Sequence, residues 1–108
     1  MNAINYRAVD ADRKGEGYSG KVFTSDSSVK VVEMTIEPGG EVRPHATPVH
    51  VIFHVIEGEA TISVGDESLA VSPGYIVDSP AEVPHGIVNS GEKNFVMLVI
   101  QLFCKCGS

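Results

Sequence analysis

The stretch GGEVRPHATPVHVIFHVIEG, residues 39–58, decides how the rest of this chain is read. It opens on Gly39-Gly40 and closes on Glu57-Gly58, and within it Val49 to Ile56 is rich in β-branched and aromatic residues. Such a run between glycine and proline punctuation predicts a strand, because glycine accepts positive φ at a turn and proline lacks the N–H that a ladder needs. The same stretch holds three of the chain's four histidines, His45, His50 and His54. The fourth, His85, follows Pro84 in a second punctuated stretch, GYIVDSPAEVPHGIVN, residues 74–89.

Working outward, further strands are predicted over Lys30 to Glu37, Ala60 to Val64, Leu69 to Ser72, Tyr75 to Asp78, Gly86 to Asn89 and Phe95 to Phe103, each ended by glycine, proline or a polar turn. Within Val29 to Glu37, Val32, Met34 and Ile36 share one face while Glu33, Thr35 and Glu37 share the other, so one side looks inward and one meets water. Phe95 to Phe103 differs, since Phe-Val-Met-Leu-Val-Ile leaves no polar face. Both sides of that strand need cover, either as a central strand or in a dimer. Residues 1–28 carry two short edge-strand candidates, Ile4 to Val9 and Lys21 to Thr24. No stretch has the period of a long helix, and the pattern is that of an antiparallel sandwich or barrel.

The 108 residues fit one domain, with 1–28 as edge strands and loops, 29–103 as the barrel and 104–108 as a tail. Fourteen acidic against eight basic residues, the latter scattered, argue against nucleic acid as a partner, which requires a concentrated basic footprint. The longest apolar run falls short of the ~20 residues of a membrane helix, and the first twenty residues show no leader-like apolar core, so a cytoplasmic protein is expected. Cys104 and Cys106 read as two reduced thiols on a terminal strand, with a metal or redox pair as the alternative. Gly15-Glu-Gly-Tyr-Ser-Gly20 has the G-x-G-x-x-G spacing of a dinucleotide loop, but charged residues precede it and no helix follows. It is read as a flexible polar loop.

Neutral imidazole is the commonest ligand for transition metals, so four histidines in two neighbouring stretches make a metal hypothesis. Their setting resembles the cupin family. Its first motif, G-x5-H-x-H-x3,4-E-x6-G, is met by Gly39, His45, Thr47, Val51 and Gly58, and its second, G-x5-P-x-G-x2-H-x3-N, by Gly74, Pro80, Glu82, His85 and Asn89. The resemblance covers residues 39–89 and implies an all-β fold, a double-stranded β-helix or jelly-roll barrel forming a single cupin domain. Family members hold a divalent metal through two histidines and a glutamate of the first motif and the histidine of the second. Here Thr47 and Val51 stand at two of those positions, and Glu82 stands at a glycine position.

Only His45 and His85 keep the family's ligand types. Strict alternation from Val51 turns His50 and His54 outward, whereas a bulge or turn at Pro48 brings His50 inward. The expected metal set is therefore His45, His85 and His50, with His54 as the least favoured member, holding Zn, Fe, Ni, Mn or Cu. Arg43, two residues before His45, and Thr47 are expected to contact a small anionic or sugar-derived molecule, Arg43 by forking a carboxylate. Two functions follow. One is a metal-dependent isomerase or oxygenase-type enzyme, and the other a non-catalytic module that binds or senses a small molecule without metal. Both expect a homodimer.

Overall fold

The computed structural model describes Ala3, Asn5 and residues 13–15, 17–25 and 28–103, and every element among them is a strand. In chain order these are β1 (Arg13–Gly15), β2 (Tyr18–Ser25), β3 (Val29–Ile36), β4 (Glu41–His45), β5 (His50–Glu57), β6 (Ala60–Val64), β7 (Glu67–Val71), β8 (Ile76–Ser79), β9 (His85–Val88) and β10 (Phe95–Leu102). They form a six-stranded sheet, ordered β1-β2-β3-β10-β5-β8, and a four-stranded sheet, ordered β4-β9-β6-β7. All pairings are antiparallel. From β3 onward the chain passes back and forth between the two sheets, pausing only for the β6–β7 hairpin, which is the winding of a double-stranded β-helix. No helix among the described residues is long and apolar enough to cross a membrane.

The two inner faces close on one core. Ile36, Val51, Phe53, Val55, Phe95 and Met97 from the large sheet meet Ile62, Val71 and Ile87 from the small one. The strand period of two selects these residues: on β5 Val51, Phe53 and Val55 are buried while His50, Ile52 and His54 are turned the other way. Strand β10 lies between β3 and β5, so its inner residues Phe95, Met97 and Val99 are core. Its outer residues, Val96, Leu98 and Ile100, are half-buried among their cross-strand neighbours. Of the two arrangements expected from its unbroken apolar run, a central strand or cover in a dimer, the central placement is observed.

Two sequence expectations shift on the structure. Strand β4 carries Pro44 and was not foreseen, because proline demotes a strand reading. The polar loop expected at 15–20 instead contains a hairpin turn, with Gly15 paired to Tyr18 and Gly17 at a φ of 84°. Lys21 to Thr24 lies within β2, whereas Ile4 to Val9 and the two cysteines lie outside the described residues. The motif glycines Gly39, Gly58 and Gly74 all have positive φ. At Gly58 there is a second demand, because a Cβ there would come within 2.3 Å of the Asn94 carbonyl oxygen. Glu82, at the family's remaining glycine position, also has a φ of 70°, so this chain holds a side chain where the backbone favours none.

Candidate functional site: a histidine pair at the mouth of the barrel

His45 and His85 are directly paired across β4 and β9. Their register depends on a bulge: Val42 opposes Ile87 and His45 opposes His85, so Arg43 and Pro44 together face the single residue Gly86. Pro44 has no N–H to lose from the ladder, which makes it the natural residue to leave unpaired. Gly86 makes room, since a Cβ there would lie 3.0 Å from the Pro44 nitrogen and 2.9 Å from the Val42 carbonyl oxygen. The extra residue puts both Val42 and His45 on the inner face, three positions apart, and turns Arg43 out.

The imidazoles meet edge to face, with centroids 4.7 Å apart and planes at 70°. His85 also sets its ring against Phe53, at 5.2 Å and 78°. His85 is only 4% exposed, and its Nδ1 lies 3.0 Å from the hydroxyl of the buried Ser79 on β8. A buried hydroxyl proton without an acceptor is costly, and the ring nitrogen is the acceptor within reach. Ser79 therefore donates, which leaves the proton of neutral His85 on Nε2. His45 is the converse case. Its Nδ1 lies 3.1 Å from the Arg43 carbonyl oxygen, which can only accept, so Nδ1 donates, and in the neutral ring Nε2 then keeps the lone pair. Burial, and then the repulsion that a protonated His45 would exert on a second imidazolium, hold the pKa of His85 below the ordinary 6.5. The pair thus offers one N–H donor and one nitrogen acceptor.

Both rings line an interior cavity of about 270 Å³ between the sheets, with Tyr18, Lys30 and Gln101 as its other polar side chains with strong hydrogen-bonding groups. Its walls are otherwise mainly apolar, including Met34, Phe53, Ile87 and Met97. A larger open cleft of about 780 Å³, lined by the Pro38 to Arg43 segment, shares Tyr18, Val42 and His45 with it. His45 stands where the two meet, at the entrance to the interior.

The remaining expected site residues lie elsewhere. His50 and His54 are on the outer face of β5, because the irregularity falls at Arg43-Pro44 and not at Pro48, leaving the alternation of β5 undisturbed. His50 Nε2 pairs there with Asp78 Oδ1 of β8, both side chains well exposed. The Thr47 hydroxyl donates to the Val49 carbonyl at 3.1 Å, and its own carbonyl accepts from the Glu82 N–H at 2.8 Å, so Thr47 shapes the β4–β5 connection. Arg43 points to solvent, with its side chain 90% exposed and Glu41 3.6 Å away. It borders the outer cleft and does not line the interior. Lys30 and Gln101 were not singled out from sequence. The signal was present: the parity that places Val32, Met34 and Ile36 inward continues back to Lys30, and that of Phe95, Met97 and Val99 runs on to Gln101.

A double-stranded β-helix with a histidine pair in its mouth defines the class of small barrel proteins to which this chain conforms. It belongs to the cupin family: the model of the cupin domain matches residues 32–101. Similar solved structures include an RmlC-like cupin from Shewanella frigidimarina, 17% identical, with a TM-score of 0.87 over 98% of this chain and 94% of that one. KdgF from a Halomonas species is 20% identical, with a TM-score of 0.83 over 92% of each chain. A predicted oxalate decarboxylase from Thermotoga maritima is 14% identical, with a TM-score of 0.87 over 95% of this chain and all of that one, 100%. At these identities the likeness is one of fold. No curated protein matches the chain in sequence.

Transition metals are common in this family, and the residues present were tested for that role by their donor chemistry. Catalytic metal sites ordinarily use three protein ligands and leave a further position open. Among the described residues no three histidine, cysteine, aspartate or glutamate side chains converge. Position 51 holds a core valine, and the Thr47 hydroxyl is committed to the Val49 carbonyl. Two imidazoles remain, one of them with Nδ1 already bonded to Ser79. This donor set does not fit the family's metal centre.

Proposed function

We propose that the barrel cavity binds a small molecule directly through His45 and His85, without a divalent metal, and that the protein is a binding or sensing module. The observation that carries this reading is the placement of the pair: two imidazoles meet on the cavity wall, His85 bonded through Nδ1 to Ser79 and His45 through Nδ1 to the Arg43 carbonyl, which in the neutral rings sets a donor on one and an acceptor on the other. Two rings so arranged match a polar group that both donates and accepts. The apolar wall beyond them suits a compact carbon skeleton, as ligand pockets are mostly apolar with a few convergent polar groups.

Metal analysis of protein purified without added ions, joined to a thermal-shift screen of sugars, uronates and small acids with and without chelator, tests the reading. The expected outcome is well under one equivalent of metal and ligand-induced stabilisation that the chelator leaves unchanged. Near-stoichiometric metal, with stabilisation abolished by chelator, overturns it in favour of a metal-dependent isomerase or oxygenase-type enzyme. That second reading draws on structural neighbours named as enzymes, among them the polyketide cyclase RemF from Streptomyces resistomycificus.

The same proposal includes a homodimer. Its support is the outer face of the large sheet, where Ile76, 66% exposed, pairs with His54 beside Leu98, and Ile52 pairs with Ile100. An apolar sheet face of this kind is stabilised by cover.

A further inference from the structure

Resting on the metal-free cavity reading, we propose that the ligand is a small hydroxycarboxylate, its carboxylate held by Lys30 and Gln101 and its hydroxyl by the His45–His85 pair. The cavity has two polar ends on one line. On the inner face of the large sheet Lys30 pairs with Gln101, Gln101 with Val51 and Val51 with Ser79, a single cross-strand row. Ser79 in turn bonds His85, so the row runs from the histidine pair to Lys30. Three strand spacings separate its ends, at most about 14 Å along the sheet and less across the curve of the barrel. Between the ends the lining is apolar, with Val32, Phe53, Met97 and Val99.

Among the described residues no aspartate or glutamate lines the cavity, although the chain as a whole carries a formal charge of −6. Among the described residues Lys30 has no ion-pair partner in the structure. A half-buried lysine on the wall of a cavity where no described carboxylate stands favours an anion there, and the Gln101 amide on the neighbouring strand adds N–H donors. At the other end the His85 Nε2–H and the His45 Nε2 lone pair complement a hydroxyl, which accepts from one and donates to the other.

Calorimetric titration of the full chain with 4-hydroxybenzoate, its methyl ester and benzoate separates the two ends. The acid is expected to bind about tenfold or more tightly than either the ester, which lacks the charge, or benzoate, which lacks the hydroxyl. Lys30→Gln should abolish the preference over the ester, and Lys30→Arg, which keeps the charge, should retain it; His85→Gln should abolish the preference over benzoate. Circular dichroism and melting temperature confirm that each variant is folded. Equal binding of acid and ester, or full affinity for the acid in Lys30→Gln, overturns the carboxylate assignment and leaves the cavity reading standing. Failure of all three probes to bind overturns the hydroxycarboxylate proposal, while the metabolite screen with chelator decides the cavity reading separately.

Discussion

His85 is the residue on which the site turns, and its setting has a measurable consequence. Burial first, and the neighbouring His45 second, lower its pKa in the folded chain, so near neutrality and below the unfolded protein binds more protons at this position than the native one. The stability that depends on neutral His85 is therefore fully present above about pH 6.5 and is lost as pH falls from there toward the depressed folded value. Denaturant unfolding of the wild type and of His85→Gln between about pH 7.5 and 5 should show the wild type losing stability faster on acidification. Parallel curves would remove the argument. The residue is legible in the sequence as a motif histidine; its neutrality is not, because Ser79, Phe53 and His45 reach it from three other strands.

Among elements, the connection between β9 and β10 shows how a motif position can be structural. Asn89 is fully buried, and its side-chain amide donates to the Ile36 carbonyl at the end of β3 and to the Lys93 carbonyl, both at 2.9 Å. Its side-chain oxygen accepts from the Gly91 N–H at 3.0 Å, and its backbone exchanges hydrogen bonds with Gly39 and Gly40. One side chain thus joins the end of β3 to the 89–94 turn, while its backbone holds the turn that feeds β4. Asn89→Ala leaves the buried Ile36 carbonyl, and the part-buried Lys93 carbonyl and Gly91 N–H, short of a partner, at a cost of about 3 kcal/mol. A melting temperature lower by roughly 10–20 °C is expected, and a loss of only a few degrees would show that water replaces the amide. The strands themselves were largely readable from period and punctuation. Strand β4 was missed because its bulge breaks the period and its proline argues against a strand.

For the whole molecule, the large sheet has a consequence beyond the barrel. Its outer face carries Ile52, Ile76, Leu98 and Ile100, with the His50–Asp78 pair at one margin and Glu33 across from Leu98. Sedimentation at tens of micromolar should give twice the chain mass, and Ile76→Glu combined with Leu98→Gln should shift it to the single-chain mass with the barrel still folded. Ile76 is largely exposed, so a charge there costs the isolated chain little. A wild type that sediments as a monomer would remove the dimer.

Local order along the chain determined the strand succession, the turns and the family motifs, since alternation, glycine and proline act within a few residues and need no partner. It also contained the inward parity of Lys30 and Gln101, although nothing local marks those residues as cavity groups. Which histidines meet is set by pairing across the sheet. A bulge at Arg43-Pro44 slips the register by one residue, and a slip of one residue exchanges the inner and outer faces of a strand. That slip sets His45 against His85 and turns Arg43 to solvent, while the regular β5 keeps His50 and His54 outside. The composition of the cavity follows from pairing between strands far apart in sequence, which no reading of one strand at a time contains.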